Sequence, residues 1–306
     1  MSREMGRRAF LGALPAAVVA GRSLPGASVA LAVDSRGTPS SSRPAASRTA
    51  ADAANPSRRA IDGLGVQLYT LRAELADDVD RTLAAVAEIG YHEVELAGLY
   101  GLTPRQMRSK VDDVGLRAVS GHFSVAEIRG EWTRALEGAQ ELGQALVVVP
   151  SIPGSERTPE GLRRVADDFN RAAEAARSVG LRFGYHNHDW EFGLLSDGTI
   201  PMDLLLERTA DDLVDWQMDV FWVVHGGAEP ASYLEQTRGR VTSVHVKDRT
   251  AGGEMVDVGD GVIDFASLLR LAEPLGLLHV FVEHDQPGDG LESVRRSFAH
   301  MSALGL

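Results

Sequence analysis

Imidazoles and carboxylates gather at the ends of short apolar runs in this chain. His186-Asn187-His188 closes one run, Gln217-Met218-Asp219 the next, His245-Val246-Lys247-Asp248 a third and Glu283-His284-Asp285 a fourth. Glu93-Val94-Glu95 and Ser120-Gly121-His122 close two earlier ones. Side chains on a strand alternate between its two faces. His186 and His188 therefore share a face, as do His245 and Lys247, and Glu283 and Asp285. If those faces turn the same way, His186, Asp219, His245 and Glu283 converge. Two imidazoles and two carboxylates make a mixed nitrogen and oxygen donor set for one divalent cation: Mn, Zn, Fe, Co or Mg. A lone histidine at the end of an apolar run is more often structural. Four consecutive runs ending in metal-capable residues argue for a site. The 306 residues include no cysteine, so thiolate ligands, disulfides and cysteine nucleophiles are excluded.

The elements that must position these residues are legible as a pattern. Eight short runs, each four to six residues long, read as strands buried on both faces: Gly65–Tyr69, Glu93–Leu96, Arg117–Ser120, Ala145–Val149, Arg182–His186, Val214–Met218, Val241–Val246 and His279–Val282. Helical patterns lie between them. In Asp77–Ile89, Val79, Leu83, Val86 and Ile89 form one apolar stripe, and Glu160–Val179 repeats the device. Gly90, Gly143, Gly180 and Gly276 stand where helices end, because glycine accepts the left-handed backbone that closes them. Eight strand–helix units in about 246 residues match the count and size of a (β/α)8 barrel. An open doubly wound sheet would favour a glycine-rich phosphate loop after the first strand, and Tyr69-Thr70-Leu71-Arg72 is not one. In a barrel, the residues at the C-terminal ends of the strands form the active site.

The runs GVQLYTLR, YHNHDWEF, MDVFW, HVKD, GDGVIDF and VEHD, in this order and spacing, resemble the sugar phosphate isomerase/epimerase superfamily with a xylose isomerase-like TIM barrel. The resemblance covers roughly Leu64 to Leu304. It implies one divalent metal at the ends of strands five to eight, held by Glu, Asp, His and Glu. Asp219, His245 and Glu283 match the last three, whereas His186 stands in place of the first Glu. That departure bears on mechanism. The resemblance implies paired glutamates passing a proton between the faces of an enediolate. A metal-bound neutral imidazole is a poor base, so Glu283 would act with a second base drawn from His188, Glu95 or His122. Isomerisation, epimerisation or elimination from a keto-sugar, as in inosose dehydratase relatives, would share one first step: removal of a proton beside a carbonyl.

Around this set, Lys247 reads as a stabiliser of developing oxyanion charge or as the partner of a rim carboxylate. Trp190 and Trp222 offer flat faces to a sugar, and Tyr69, His122 and Arg249 line the same mouth. The segment from Gly252 to Gly261 reads as a flexible loop beside the substrate or a plain surface turn.

Charge separates the chain into two parts. Residues 1–60 carry nine Arg and three acidic residues; the other 246 carry 22 basic and 40 acidic residues, a net charge of −18. So acidic a body repels a phosphate backbone, which argues against nucleic-acid binding and against an endonuclease. Arg7-Arg8-Ala9-Phe10-Leu11 with an apolar run of 13 residues resembles a twin-arginine export signal over residues 1–32, too short to span a bilayer. Residues 33–60, rich in Ser, Ala, Pro and Arg, read as a linker that cannot offset its ordering entropy, and residues 61–306 as the barrel. The reading is therefore an exported, metal-dependent enzyme acting on a sugar or keto-sugar, with no membrane span once the signal is cleaved. A keto-sugar lyase or dehydratase and a non-catalytic carbohydrate-binding barrel are its alternatives.

Overall fold

The structure, a computed structural model, describes residues 63–305. The export signal, the linker and the domain start at residue 61 lie outside these residues. Eight parallel strands close into a barrel: β1 (Leu64–Gln67), β2 (Glu93–Leu96), β3 (Arg117–His122), β4 (Leu146–Val149), β5 (Arg182–His186), β6 (Val214–Asp219), β7 (Val241–Val246) and β8 (His279–Val282). Neighbours in sequence pair in space, and β1 closes the ring against β8, with Leu64 opposite Val280.

The outward strand faces carry Val66, Val94, Val147, Phe183, Trp216, Val244 and Val280, all buried in one apolar cluster with the surrounding helices. Leu146, Val148 and Phe281 are buried apart from that cluster, on the inward face. They plug the barrel beneath the polar mouth. Phe281 fits there because residue 65 is glycine: a Cβ at Gly65 would stand 2.5 Å from the Phe281 ring.

Helix ends follow the sequence signals. Asp78 caps Val79–Ile89 by accepting from the Arg81 amide at 3.0 Å, and Gly90 closes that helix at φ +118°. Thr103 with Gln106, and Ser124 with Glu127, form capping boxes. Among the described residues no helix is long and apolar enough to cross a membrane.

Two strand boundaries differ from expectation by two residues, both at the mouth; the others agree to within one. β1 ends at Gln67, and Leu68–Leu71 continue as a 3-10 turn, because the Gln67 side chain accepts the Tyr69 amide at 3.0 Å and turns the chain. β3 runs on to His122. After β7, Asp248–Arg249 pair antiparallel with Met255–Val256 as a short ribbon.

Candidate active site

The inward residues at the strand ends meet in one buried cluster. Donor atoms of His186, Asp219, His245 and Glu283, from β5, β6, β7 and the end of β8, all lie within 4.8 Å of one another. All four side chains are buried.

A layer of hydrogen bonds fixes each ring. His245 Nδ1 lies 2.6 Å from Glu283 Oε2 and its Nε2 lies 2.7 Å from Glu95 Oε1. His186 Nδ1 faces Gln217 Oε1 at 3.1 Å, which leaves Nε2 directed towards Asp219 Oδ2, 3.6 Å away. Glu95 is saturated: Gln67 Nε2 and Gln217 Nε2 donate to it at 2.7 Å, Ser120 Oγ at 2.5 Å, and His122 Nε2 lies 3.0 Å away. Asn187 is turned away from the mouth. Its Oδ1 accepts from the Asp219 amide at 2.9 Å and from Trp216 Nε1 at 2.8 Å, so it sets the backbone that presents Asp219.

Opposite charges are paired inside this layer. Burial works to lower the pKa of His245, but Glu95 and Glu283 on its two nitrogens outweigh burial and raise it to about 10. Burial raises Glu95 and Glu283, yet cationic partners hold both below the usual carboxylate range: His122 and His245 for Glu95, Lys247 and His245 for Glu283. Burial lifts Asp219 to about 6 against the pull of Lys247. Burial, then the charge of His245 and Lys247 nearby, holds the pKa of His186 well below the usual imidazole range. Burial and then Lys247 push His188 down to about 4.

The predicted residues fall into distinct places. Glu95 reaches the centre, where every contact of its carboxylate is engaged and one of them holds His245 Nε2. His122 is likewise tied to Glu95 and to Gln217 Oε1 at 3.1 Å. His188 differs: its Nδ1 is buried with no hydrogen-bond partner, and its ring packs against His186 and Trp222 at centroid distances of 5.2 and 5.8 Å. The Trp222 and Trp190 indole N–H groups are also buried without partners. Arg157 covers the Trp190 ring at 4.3 Å. Lys247 is buried and pairs with three carboxylates: Asp219 at 3.0 Å, Glu283 at 2.9 Å and Asp285 at 2.6 Å. Arg249 is partly buried, with Nη1 3.3 Å from the Val224 carbonyl. Tyr69 does not end a strand; it sits on the 3-10 turn at the rim, 44% exposed, with Arg72 over its ring.

The loop beside the mouth is held down. Asp248 accepts backbone N–H groups from Arg249, Gly259, Gly261 and Ile263 at 2.8–3.2 Å. The roles of Gln67, Ser120, Asn187 and Gln217 are not apparent from residue type. Their one signal is position, since Gln217 stands two residues before Asp219 on one inward face.

The donor set fits a divalent cation. Each ligating imidazole has one nitrogen anchored on an oxygen acceptor, His245 on Glu95 and His186 on Gln217, and presents the other to the centre. That is how metal-binding histidines are usually oriented. Asp219 Oδ2 is buried and accepts no hydrogen bond, although Lys247 is nearby. A cation at His245 Nδ1 would take the place of the proton shared with Glu283.

Comparison with known proteins agrees with the barrel fold. The family model described as xylose isomerase-like TIM barrel matches residues 83–304. An inosose dehydratase of Geobacillus kaustophilus (strain HTA426) is 26% identical over 230 residues, 62% of this chain and 74% of that protein. The crystal structure of a sugar phosphate isomerase/epimerase from Parabacteroides distasonis ATCC 8503 superposes with a TM-score of 0.70 and 29% identity, over 81% of this chain and 96% of that one. The zinc-bound crystal structure of the IOLI protein has a TM-score of 0.63 over 79% of this chain and 97% of its own; at 15% identity it is a likeness of fold alone.

Proposed function

The chain belongs to the xylose isomerase-like TIM barrel family, and on that premise we propose that it is a divalent-metal-dependent lyase acting on a keto-sugar. The reaction would break the C–H bond beside the carbonyl, form a carbon–carbon double bond from that electron pair, and expel the oxygen on the next carbon as water or an alcohol. The inosose dehydratase relatives support the reading, since dehydration is elimination of this kind.

The single observation that carries it is the state of the three candidate second bases. Glu95 and His122 are consumed in holding His245 and one another, and only His188 keeps a ring nitrogen without a partner. Epimerisation needs bases on two faces of the substrate, and His186, in place of a glutamate, is a donor to Gln217. Elimination needs one base and one acid. His188 Nδ1, free of hydrogen-bond partners, is the group left to take the proton from carbon and pass it on to the departing oxygen. The Lys247 ammonium, held charged among its carboxylates, stabilises the negative charge that builds on that oxygen. Trp222 and Trp190 bind the sugar through ring faces and unpartnered indole N–H groups. A divalent ion held by His186, Asp219, His245 and Glu283 would polarise the carbonyl when bound.

The experiment is incubation with a panel of keto-sugars and keto-inositols in D2O, followed by NMR. Wild type should release the leaving group and form the unsaturated ketone, and His188→Gln should stop both while sugar binding persists. Deuterium entering the sugar without loss of the leaving group would favour the isomerase/epimerase reading. Binding without exchange would favour a carbohydrate-binding barrel. Metal analysis with His245→Ala as the control tests the cofactor.

Export by the twin-arginine route is part of the same proposal and rests on Arg7 and Arg8 before the apolar run. Replacing both by Lys should leave the protein inside the cytoplasm on fractionation; unchanged export would remove the assignment.

A further inference from the structure

The site contains one more cation than a metal centre needs. Lys247 is one of two lysines in the chain, and its ammonium is sealed from solvent. It lies 3.0 Å from Asp219 Oδ2 and 2.9 Å from Glu283 Oε2, oxygens of two of the four residues of the proposed metal site. An ammonium and a divalent ion so close to the same two carboxylates repel each other and compete for their lone pairs. Its third partner is different. Asp285 Oδ1, 2.6 Å away, belongs to a carboxylate outside the donor set, and its side chain is 25% exposed at the mouth.

We propose that Lys247 is a built-in stand-in for the metal. It neutralises Asp219 and Glu283 until a divalent ion takes them, and Asp285 is the seat it then keeps. The inference rests on the metal reading above. Three features of the site support it. Asp285 is fixed in place, because Arg72 Nη2 donates to its carbonyl at 2.8 Å and its own amide donates to Met255 Sδ at 3.3 Å. The Trp222 ring, 5.7 Å from Nζ, lines the space beside the ammonium and accepts a cation on its face. The flexible four-carbon stem of lysine lets the head group shift without backbone movement. Two consequences follow. Asp219 and Glu283 are not left as unpaired buried carboxylates before the ion binds, so the barrel can fold before metal arrives. Loading the ion leaves the ammonium on Asp285 alone, facing the mouth where a departing oxygen would stand.

The test is Zn2+ affinity of the full chain, read by competition with a chromogenic chelator and not by activity. Lys247→Met should bind Zn2+ at least tenfold more tightly than wild type, because the competing cation is gone. Asp285→Asn should bind at least tenfold more weakly, because the displaced ammonium loses its seat. In the double variant the Asp285→Asn effect should vanish. An equal loss from Asp285→Asn with or without Lys247 would overturn the proposal, as would unchanged or weaker binding by Lys247→Met. Thermal melts with and without Zn2+ give a second readout: the ion should raise the Tm of Lys247→Met more than that of wild type. If Lys247→Met proves too unstable to purify, the wild type against Asp285→Asn comparison decides, and equal affinity there overturns the proposal. Zn2+ binding by Lys247→Met but not by wild type would support it. Binding by neither would remove the metal reading and this inference together, whereas equal binding by both would remove this inference alone.

Discussion

His245 Nε2 lies 2.7 Å from Glu95 Oε1, on the side of the ring opposite Glu283. The glutamate is buried, comes from a strand 150 residues away in sequence, and spends its remaining contacts on Gln67, Ser120, Gln217 and His122. It holds the imidazole rather than the substrate. Glu95→Gln should keep the ring in place but weaken its anchor, lowering metal affinity about 10–100-fold. Chelator competition measures this. An affinity equal to wild type would mean that Glu95 does not orient the ligand. Glu95→Ala should be far worse, since it leaves charged His245 with one partner fewer in a buried site.

Asn187 should matter to stability as much as to binding. Its Oδ1 satisfies both the Asp219 amide and the Trp216 indole, and its Nδ2 donates to the Asp219 carbonyl at 3.2 Å. Asn187→Ala strands buried polar groups, each costing about 1–3 kcal/mol. Urea unfolding should show a loss of about 3 kcal/mol, with a matching loss of metal affinity as Asp219 drifts. Loss of affinity at unchanged stability would contradict the backbone role.

Glu191 predicts a pH dependence separate from the metal centre. It accepts from the Tyr185 hydroxyl and, at 2.9 Å, from the His188 amide, and burial pushes its pKa up to about 7. Between the ordinary glutamate value and pH 7 the folded chain keeps a proton that the unfolded chain has released. The stabilising contribution is therefore complete at low pH and is lost as pH rises through 7, by about 3 kcal/mol from the size of the shift. Glu191→Gln should abolish this slope. Stability curves of the two proteins from pH 5 to 8 should diverge; parallel curves would rule the effect out.

How much of this was readable beforehand follows from period. Strands buried on both faces show as short apolar runs, and the residue two places on lies on the same face. Asp219, His245, Lys247 and Glu283 could thus be placed in one mouth before any coordinates. Gly90, Gly143 and Gly276 marked helix ends because only glycine adopts positive φ cheaply there. What the pattern could not supply was distance between strands remote in sequence. Whether Glu95 faces substrate or another side chain depends on Gln67, Ser120 and Gln217 arriving from three other strands. Tyr69 escaped for a local reason: the Gln67 side chain captures its amide and ends the strand two residues early.

The loop after β7 offers the sharpest steric test. Asp248 closes it by accepting four backbone N–H groups, and two of these belong to Gly259 and Gly261. The reason for glycine differs at the two positions. Gly259 has φ +101°, a conformation that strains other residues, whereas a Cβ at Gly261 would stand 2.1 Å from Asp248 Oδ1 and 2.4 Å from the Arg249 carbonyl. The second obstacle is backbone, so it cannot swing aside. Gly261→Ala should therefore expel the loop from Asp248 and leave a buried carboxylate short of donors, a loss on the order of 2–3 kcal/mol. Asp248→Ala removes the same contacts from the other side without adding a clash. Both variants should speed hydrogen exchange at the amides of residues 259, 261 and 263, and both should raise KM for whatever sugar the mouth accepts more than they lower kcat. Combining them should cost little more than either alone, because the two substitutions break one set of hydrogen bonds. Fully additive losses in the double variant would show that Gly261 is needed for some contact other than Asp248.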